Sequence, residues 1–191
     1  PRHVNQLGSA LSAVIDDMFT GRGAPGAIEI PIDIQYADTQ AMQISLPSNQ
    51  AYVADDNAIN NVLEALSQSS KRIIVAGGGV IAANAHKELL ALAEMLDAPV
   101  LTTIDGRGVI PEDHPLCMGN YYNSAGIYNA IQGADLTLAI GTKFAVGVDG
   151  QFAHQTPPGK LLHIDIDGNM IGRTHQAHIG VIADAKLALQ S

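Results

Sequence analysis

Five short apolar runs, separated by segments with helical spacing, dominate the chain from about residue 55 onward: Arg72–Ala76, Pro99–Thr103, Leu136–Ile140, Leu161–Asp165 and His178–Ile182. These runs are apolar throughout rather than alternating, the mark of strands buried on both faces. Strands separated by helices are joined by crossovers, so the sheet is mostly parallel. The pattern predicts an open, doubly wound α/β sheet flanked by helices, with Ile74, Leu101, Leu138, Ile164 and Val181 buried on its strands. Asp55 or Asp56 can cap a helix carrying Ile59, Val62, Leu63 and Leu66. Further helices are expected over Ala83–Leu96, Ala125–Gln132 and Ala183–Gln190, with a short one near Asn169–Arg173.

The N-terminal part reads differently. Val4, Leu7, Leu11, Val14, Ile15 and Met18 recur at spacings of three and four, as in an amphipathic helix. A chain that opens in such a helix reads as starting inside something larger. The cluster Gly21–Gly26 stops the helix. In Ala27–Ile34 the isoleucines then alternate with smaller or polar residues, which predicts a strand, with Pro31 placing it at an edge or strand end. Between Gln35 and Asp55 periodicity is lost. The organisation expected is residues 1–36 as one piece, 37–55 as a linker and 56–191 as an α/β domain.

Composition narrows the function classes. Nineteen acidic residues stand against ten basic ones, a formal net charge of -9, and the basic residues are scattered. That distribution argues against nucleic acid or an anionic membrane as partner. No apolar run approaches the roughly 20 residues that span a bilayer. A single cysteine, Cys117, rules out an intramolecular disulfide and a Cys-rich zinc cluster, and fits the reducing cytoplasm.

Ligands of open parallel sheets bind beyond the carboxyl ends of the strands. Gly77-Gly78-Gly79-Val80-Ile81-Ala82 has the G-x-G-x-x-A form of a phosphate turn, or of a tight strand-to-helix turn needing glycine. The next strand ends in Thr102-Thr103 and lacks the acidic residue that reads a ribose, so ordinary NAD binding is not supported. A second end, Thr103 to Gly108, exposes Arg107, which can face a ligand or pair with Glu112 or Asp113. The third carries Lys143 directly after a strand, and the fourth is Asp165-Ile166-Asp167, able to accept from a ribose or to cap a helix. His175 and His178 lie three apart without a third metal ligand of matching spacing and read as structural; His114 reads as a turn residue. No G-x-S-x-G elbow surrounds Ser9, Ser12 or Ser124, and no catalytic constellation is present.

Taken together, six pieces resemble one family in order. Gly21–Ile34 looks like the closing segment of the pyrimidine-binding domain of thiamine-diphosphate enzymes of the acetolactate synthase type. Ala76–Gly79, Pro99-Val100 with Asp105–Gly108, Pro111–Pro115, Ala134–Gly141 and His163–Asp167 resemble that family's central domain. The resemblance implies a six-stranded, dinucleotide-binding-like sheet in a lyase or transferase acting on 2-oxo acids. It also implies that thiamine diphosphate and Mg2+ are held by pyrimidine- and diphosphate-binding domains of the same chain, missing from these residues. The piece alone is then expected to be inactive, to serve as structure or as a nucleotide-binding part, and to belong to a cytoplasmic homo-oligomer. Some relatives bind FAD in the central domain and others ADP or nothing. By position this carries over to Gly77, Gly78, Gly79, Thr103, Gly141, Lys143, Asp165 and Ile166, with Asp184 beside them. The chain departs from the family at Asp105, where acetolactate synthases tend to carry methionine. The alternative is a stand-alone nucleotide-binding regulatory module.

Overall fold

A computed structural model describes residues 1–44, 52–120, 125–144 and 156–191. They belong to two compact units, Pro1–Ala51 and Tyr52–Ser191.

In the first unit the amphipathic helix is present as α1 (Leu7–Phe19), and none of its residues is buried. The following segment folds back along it, since a Cβ on Gly26 would lie 2.5 Å from Val14 Cγ1. The strand expected over Ala27–Ile34 is not formed. Residues 27–31 carry no ladder, and α2 (Ile32–Gln35) is a single helical turn. A lone strand leaves its backbone groups unpaired, whereas Pro31 lacks an N–H and suits the start of a helix, and Asp33 suits its first turn. The turn is tied by Gln35 Nε2, which donates to the Ile30 carbonyl at 2.7 Å.

In the second unit α3 (Asp56–Gln68) starts at Asp55, whose carboxylate accepts the Ala58 N–H at 3.1 Å. It leads into β1 (Arg72–Ala76), α4 (Gly78–Ala82), α5 (His86–Leu96) and β2 (Val100–Thr102). Next come β3 (Cys117–Asn120), α6 (Ala125–Ile131), β4 (Leu136–Ile140), β5 (Lys160–Asp165), β6 (Ile179–Ile182) and α7 (Ala185–Gln190). All pairings are parallel, and the strand order is β3-β2-β1-β4-β5-β6. The chain builds outward from β1 to one edge, then returns to β4 on the other side of β1 and builds to the opposite edge.

Side-chain alternation along the strands explains the two-sided core. Ile74, Leu138, Leu162 and Ile164 pack with Ile59, Val62 and Leu66 of α3, Leu89 of α5 and Ala188 of α7. Ile73, Val75, Leu101, Ala139 and Leu161 face the other way, against Ile131 of α6 and Phe144. The sheet is thus covered on both faces, and the five residues expected on its strands are all buried, none more than 3% exposed.

Three local differences from the sequence reading have physical causes. The helix expected over Ala83–Leu96 starts later, as α5 at His86, because the glycine run itself forms a separate turn, α4, and Asn84 at φ 51° breaks the path between the two. Asn169–Arg173 forms turns, with Asp167 Oδ1 accepting the Asn169 N–H and Gly172 at φ 73°. The strand β3 has no counterpart in the sequence pattern, since Cys117-Met118-Gly119-Asn120 is neither alternating nor continuously apolar; among the described residues it is an edge and pairs with β2 alone.

Candidate functional site

The sequence-predicted residues lie at four adjacent strand ends, in the spatial order β2, β1, β4, β5. At their centre two backbones stack. The N–H groups of Gly77 and Gly79 donate to the carbonyls of Ile140 and Gly141, each at 2.9 Å. A Cβ on Gly77 would lie 2.3 Å from the Gly141 oxygen, and one on Gly79 2.6 Å from the Gly141 Cα. Gly141 sits at φ 60°, and a Cβ there would lie 2.7 Å from the Gly79 Cα. The glycines therefore serve the close approach of two chain segments.

The end of β2 is tied to the same place. Thr103, itself buried, donates its N–H to the Ala76 carbonyl at 2.9 Å, and a Cβ on Gly106 would meet that same oxygen at 2.3 Å. Of the turn's first three amides, only that of Gly78 has no acceptor among the described residues. Beside it stands Asp105, whose Cβ would lie 3.0 Å from a Cβ on Gly78. One open amide next to a carboxylate is a poor fit to a diphosphate, which needs several donors and a positive potential.

The remaining candidates are engaged in holding their own loops. Lys143 is exposed, and its carbonyl accepts from Thr174 Oγ1 at 3.1 Å. Asp165 is buried and its Oδ1 accepts the Asp167 N–H at 2.9 Å, while Ile166 is half-buried. Asp184 caps α7, accepting from the N–H groups of Lys186 and Leu187. Arg107 pairs with Glu112 at 3.7 Å.

A cluster that sequence reasoning missed holds the loop after β4. His163, buried on β5, donates from Nε2 to the Thr142 carbonyl at 2.7 Å and accepts at Nδ1 from the Gly172 N–H at 3.4 Å. Those partners require the neutral Nε2–H tautomer. Phe144, buried at φ 49°, meets the rings of His163 and His175 edge-on at 5.5 and 5.0 Å. Burial holds the His175 imidazole below its ordinary value. His178 stands apart, accepting the Leu161 N–H at Nδ1, and His114 bridges Glu94 and the Leu116 N–H. Among the described residues no three side chains are grouped to hold a metal ion.

Residues 59–191 match the family model of the thiamine pyrophosphate enzyme central domain. The chain belongs to that family. An acetolactate synthase large subunit of Corynebacterium glutamicum is 34% identical over 97% of the chain, which covers 30% of that protein. A glyoxylate carboligase of Escherichia coli is 35% identical over 90% of the chain and is covered to 30%. The chain thus spans about a third of the length of the curated relatives it matches. In fold, this central domain and its N-terminal unit are similar to benzoylformate decarboxylase from Polynucleobacter necessarius, with a TM-score of 0.79 at 23% identity, covering 100% of the chain and 36% of that structure.

Proposed function

We propose that the chain supplies the central domain of a thiamine-diphosphate-dependent lyase or transferase of the acetolactate synthase type, acting on 2-oxo acids. The observation that carries this reading is the likeness, continuous over 97% of the chain, to an acetolactate synthase large subunit. On this reading residues 1–36 close a pyrimidine-binding domain, 37–55 are the linker and 56–191 form the central domain. Thiamine diphosphate, when bound, supplies the carbanion chemistry. Holding it, with Mg2+, falls to the pyrimidine- and diphosphate-binding domains of the same chain. The assembled protein is a cytoplasmic homo-oligomer.

Within that enzyme the described residues act first as a structural core. The three-way stacking of the loops after β1, β2 and β4 supports this, because the glycines serve backbone contact and their amides are largely used. A second reading, favoured by the open Gly78 amide, is weak binding of ADP or FAD along Gly77, Gly78, Gly79, Thr103, Gly141, Lys143, Asp165 and Ile166. A chimaera tests the main reading: the matching third of the Corynebacterium glutamicum subunit is replaced by this chain. Retained thiamine-diphosphate-dependent carbon–carbon chemistry supports it, and a folded chimaera that binds the cofactor but is inactive overturns it. Mass spectrometry of what the purified chain releases on denaturation separates the core reading from a stand-alone nucleotide-binding module.

A further inference from the structure

One buried imidazole fastens the turn that follows β5 to the loop that follows β4. His163 has a backbone partner at each ring nitrogen: Nε2 donates to the Thr142 carbonyl at 2.7 Å, and Nδ1 accepts the Gly172 N–H at 3.4 Å. Two further contacts join residues 172–175 to the same loop. Thr174 Oγ1 donates to the Lys143 carbonyl, and the His175 ring meets Phe144, whose other ring neighbour is His163. The turn is pinned at its start by Ile171, which lies over Gly180 of β6. Beyond that point Arg173 and Thr174 are exposed, so the hold on residues 172–175 depends on a few contacts gathered around one ring.

We propose that His163 is an acid-sensitive latch: when its ring takes a second proton, residues 172–175 swing away from the loop after β4. Both ring forms carry the Nε2–H, so the bond to Thr142 survives. The new proton sits on Nδ1, where the Gly172 N–H already points, and two donors then face each other. A buried cation with that donor unanswered is costly, and the cost is relieved when the turn leaves and water reaches Nδ1. The charged and titratable groups on the elements around the ring are Asp165, Lys143, Arg173 and His175. Asp165, two residues on and on the same face of β5, favours the cation but leaves the opposed N–H groups in place. Lys143 and Arg173 are exposed and weakly oppose it. His175, held neutral by burial, itself gains a proton more readily once the turn has left. Departure uncovers the Phe144 ring and frees the Lys143 carbonyl at the end of β4. The latch concerns these residues alone and does not rest on the role proposed for the whole enzyme.

The test is amide hydrogen exchange of the full chain, followed by NMR at about pH 7.5 and about pH 5.5 and corrected for the intrinsic rate. An imidazole released to water titrates near 6.5, so opening should be at least about tenfold more frequent at the lower pH, read as lost protection at the Gly172 amide. Exchange there should be faster than at the Gly77 amide, which donates to Ile140 in the middle of the sheet, because the opening is local. The loss should persist in His175→Phe and vanish in His163→Gln, whose side-chain amide does not titrate. Protection at Gly172 that is independent of pH overturns the proposal, as does a loss that survives His163→Gln or disappears in His175→Phe. Exchange at Gly172 no faster than at Gly77 also overturns it, since the turn then opens only with the whole sheet. Ring 15N shifts of the parent chain need no variant to fold: His163 should be the Nε2–H tautomer at about pH 7.5, and an Nδ1–H tautomer there removes the latch.

Discussion

The N–H of Gly79 donates to the carbonyl of Gly141 at 2.9 Å, and a Cβ on either glycine would press into the other's backbone at 2.6–2.7 Å. These residues are 62 positions apart in the chain, yet each dictates that the other carry no side chain. A glycine run that looks made for a phosphate is first a bearing surface between the loops of β1 and β4.

That relationship is testable by addition of a methyl group. Gly79→Ala should cost roughly 1–3 kcal/mol through overpacking. Gly141→Ala should cost more, because its φ of 60° adds about 1–2 kcal/mol of left-handed strain. Gly108→Ala, at φ 83° with open space around it, should show only that last term. Urea denaturation midpoints of the three variants check the order. A cost for Gly79→Ala no larger than that of an exposed-surface substitution would overturn the stacking argument.

The histidine–phenylalanine cluster predicts a dependence on pH. His175 is held below its ordinary value, so the native state favours the neutral ring and the unfolded chain binds more protons. Stability from this residue is complete above the ordinary histidine value, about 6.5, and is lost as pH falls from there through the lowered native value. His175→Phe should flatten that slope. Denaturation of parent and variant at about pH 7.5 and about pH 5.5 isolates the contribution; parallel losses in both would remove His175 as its source.

Thiamine diphosphate should not bind the chain alone. Calorimetric titration is expected to show no site tighter than about 100 μM, a free energy near -5.5 kcal/mol. A tighter site would place part of the cofactor's hold within these residues.

Removing the carboxylate beside the turn should help an anion. Asp105→Asn is expected to strengthen ADP binding about two- to fivefold at low salt, with the gain shrinking as salt rises. An unchanged affinity would put the phosphates away from Gly78.

The strands that run through the middle of the sheet were legible because burial on both faces leaves a continuous apolar record, as in Ile73-Ile74-Val75 and Leu136–Ile140. The capped start of α3 was equally legible, since Asp55 satisfies an amide three residues away. Edge strand β3 left no such record, because one neighbour and partial exposure make few demands on Cys117–Asn120. The isoleucines at 28–34 carried the period of a strand, but a strand forms only when another backbone is there to pair with it. For the candidate site, the glycine turn was visible and its purpose was not, because its partner Gly141 is remote in sequence. His163, Phe144 and His175 were separately unremarkable, and only the adjacency of β4 and β5 brings the first two together.

The Ala76 carbonyl accepts from Thr103 and is crowded by Gly106, while the next residue, Gly77, bears on Gly141. The loops after β2 and β4 are thereby wedged against one peptide unit at the end of β1. The residues fastened in this way cannot fold over a guest, so whatever docks on the stacked glycines meets a surface already in its final shape. Association there should run as a single bimolecular phase in stopped-flow mixing, linear in concentration, with no slower step of loop closure behind it.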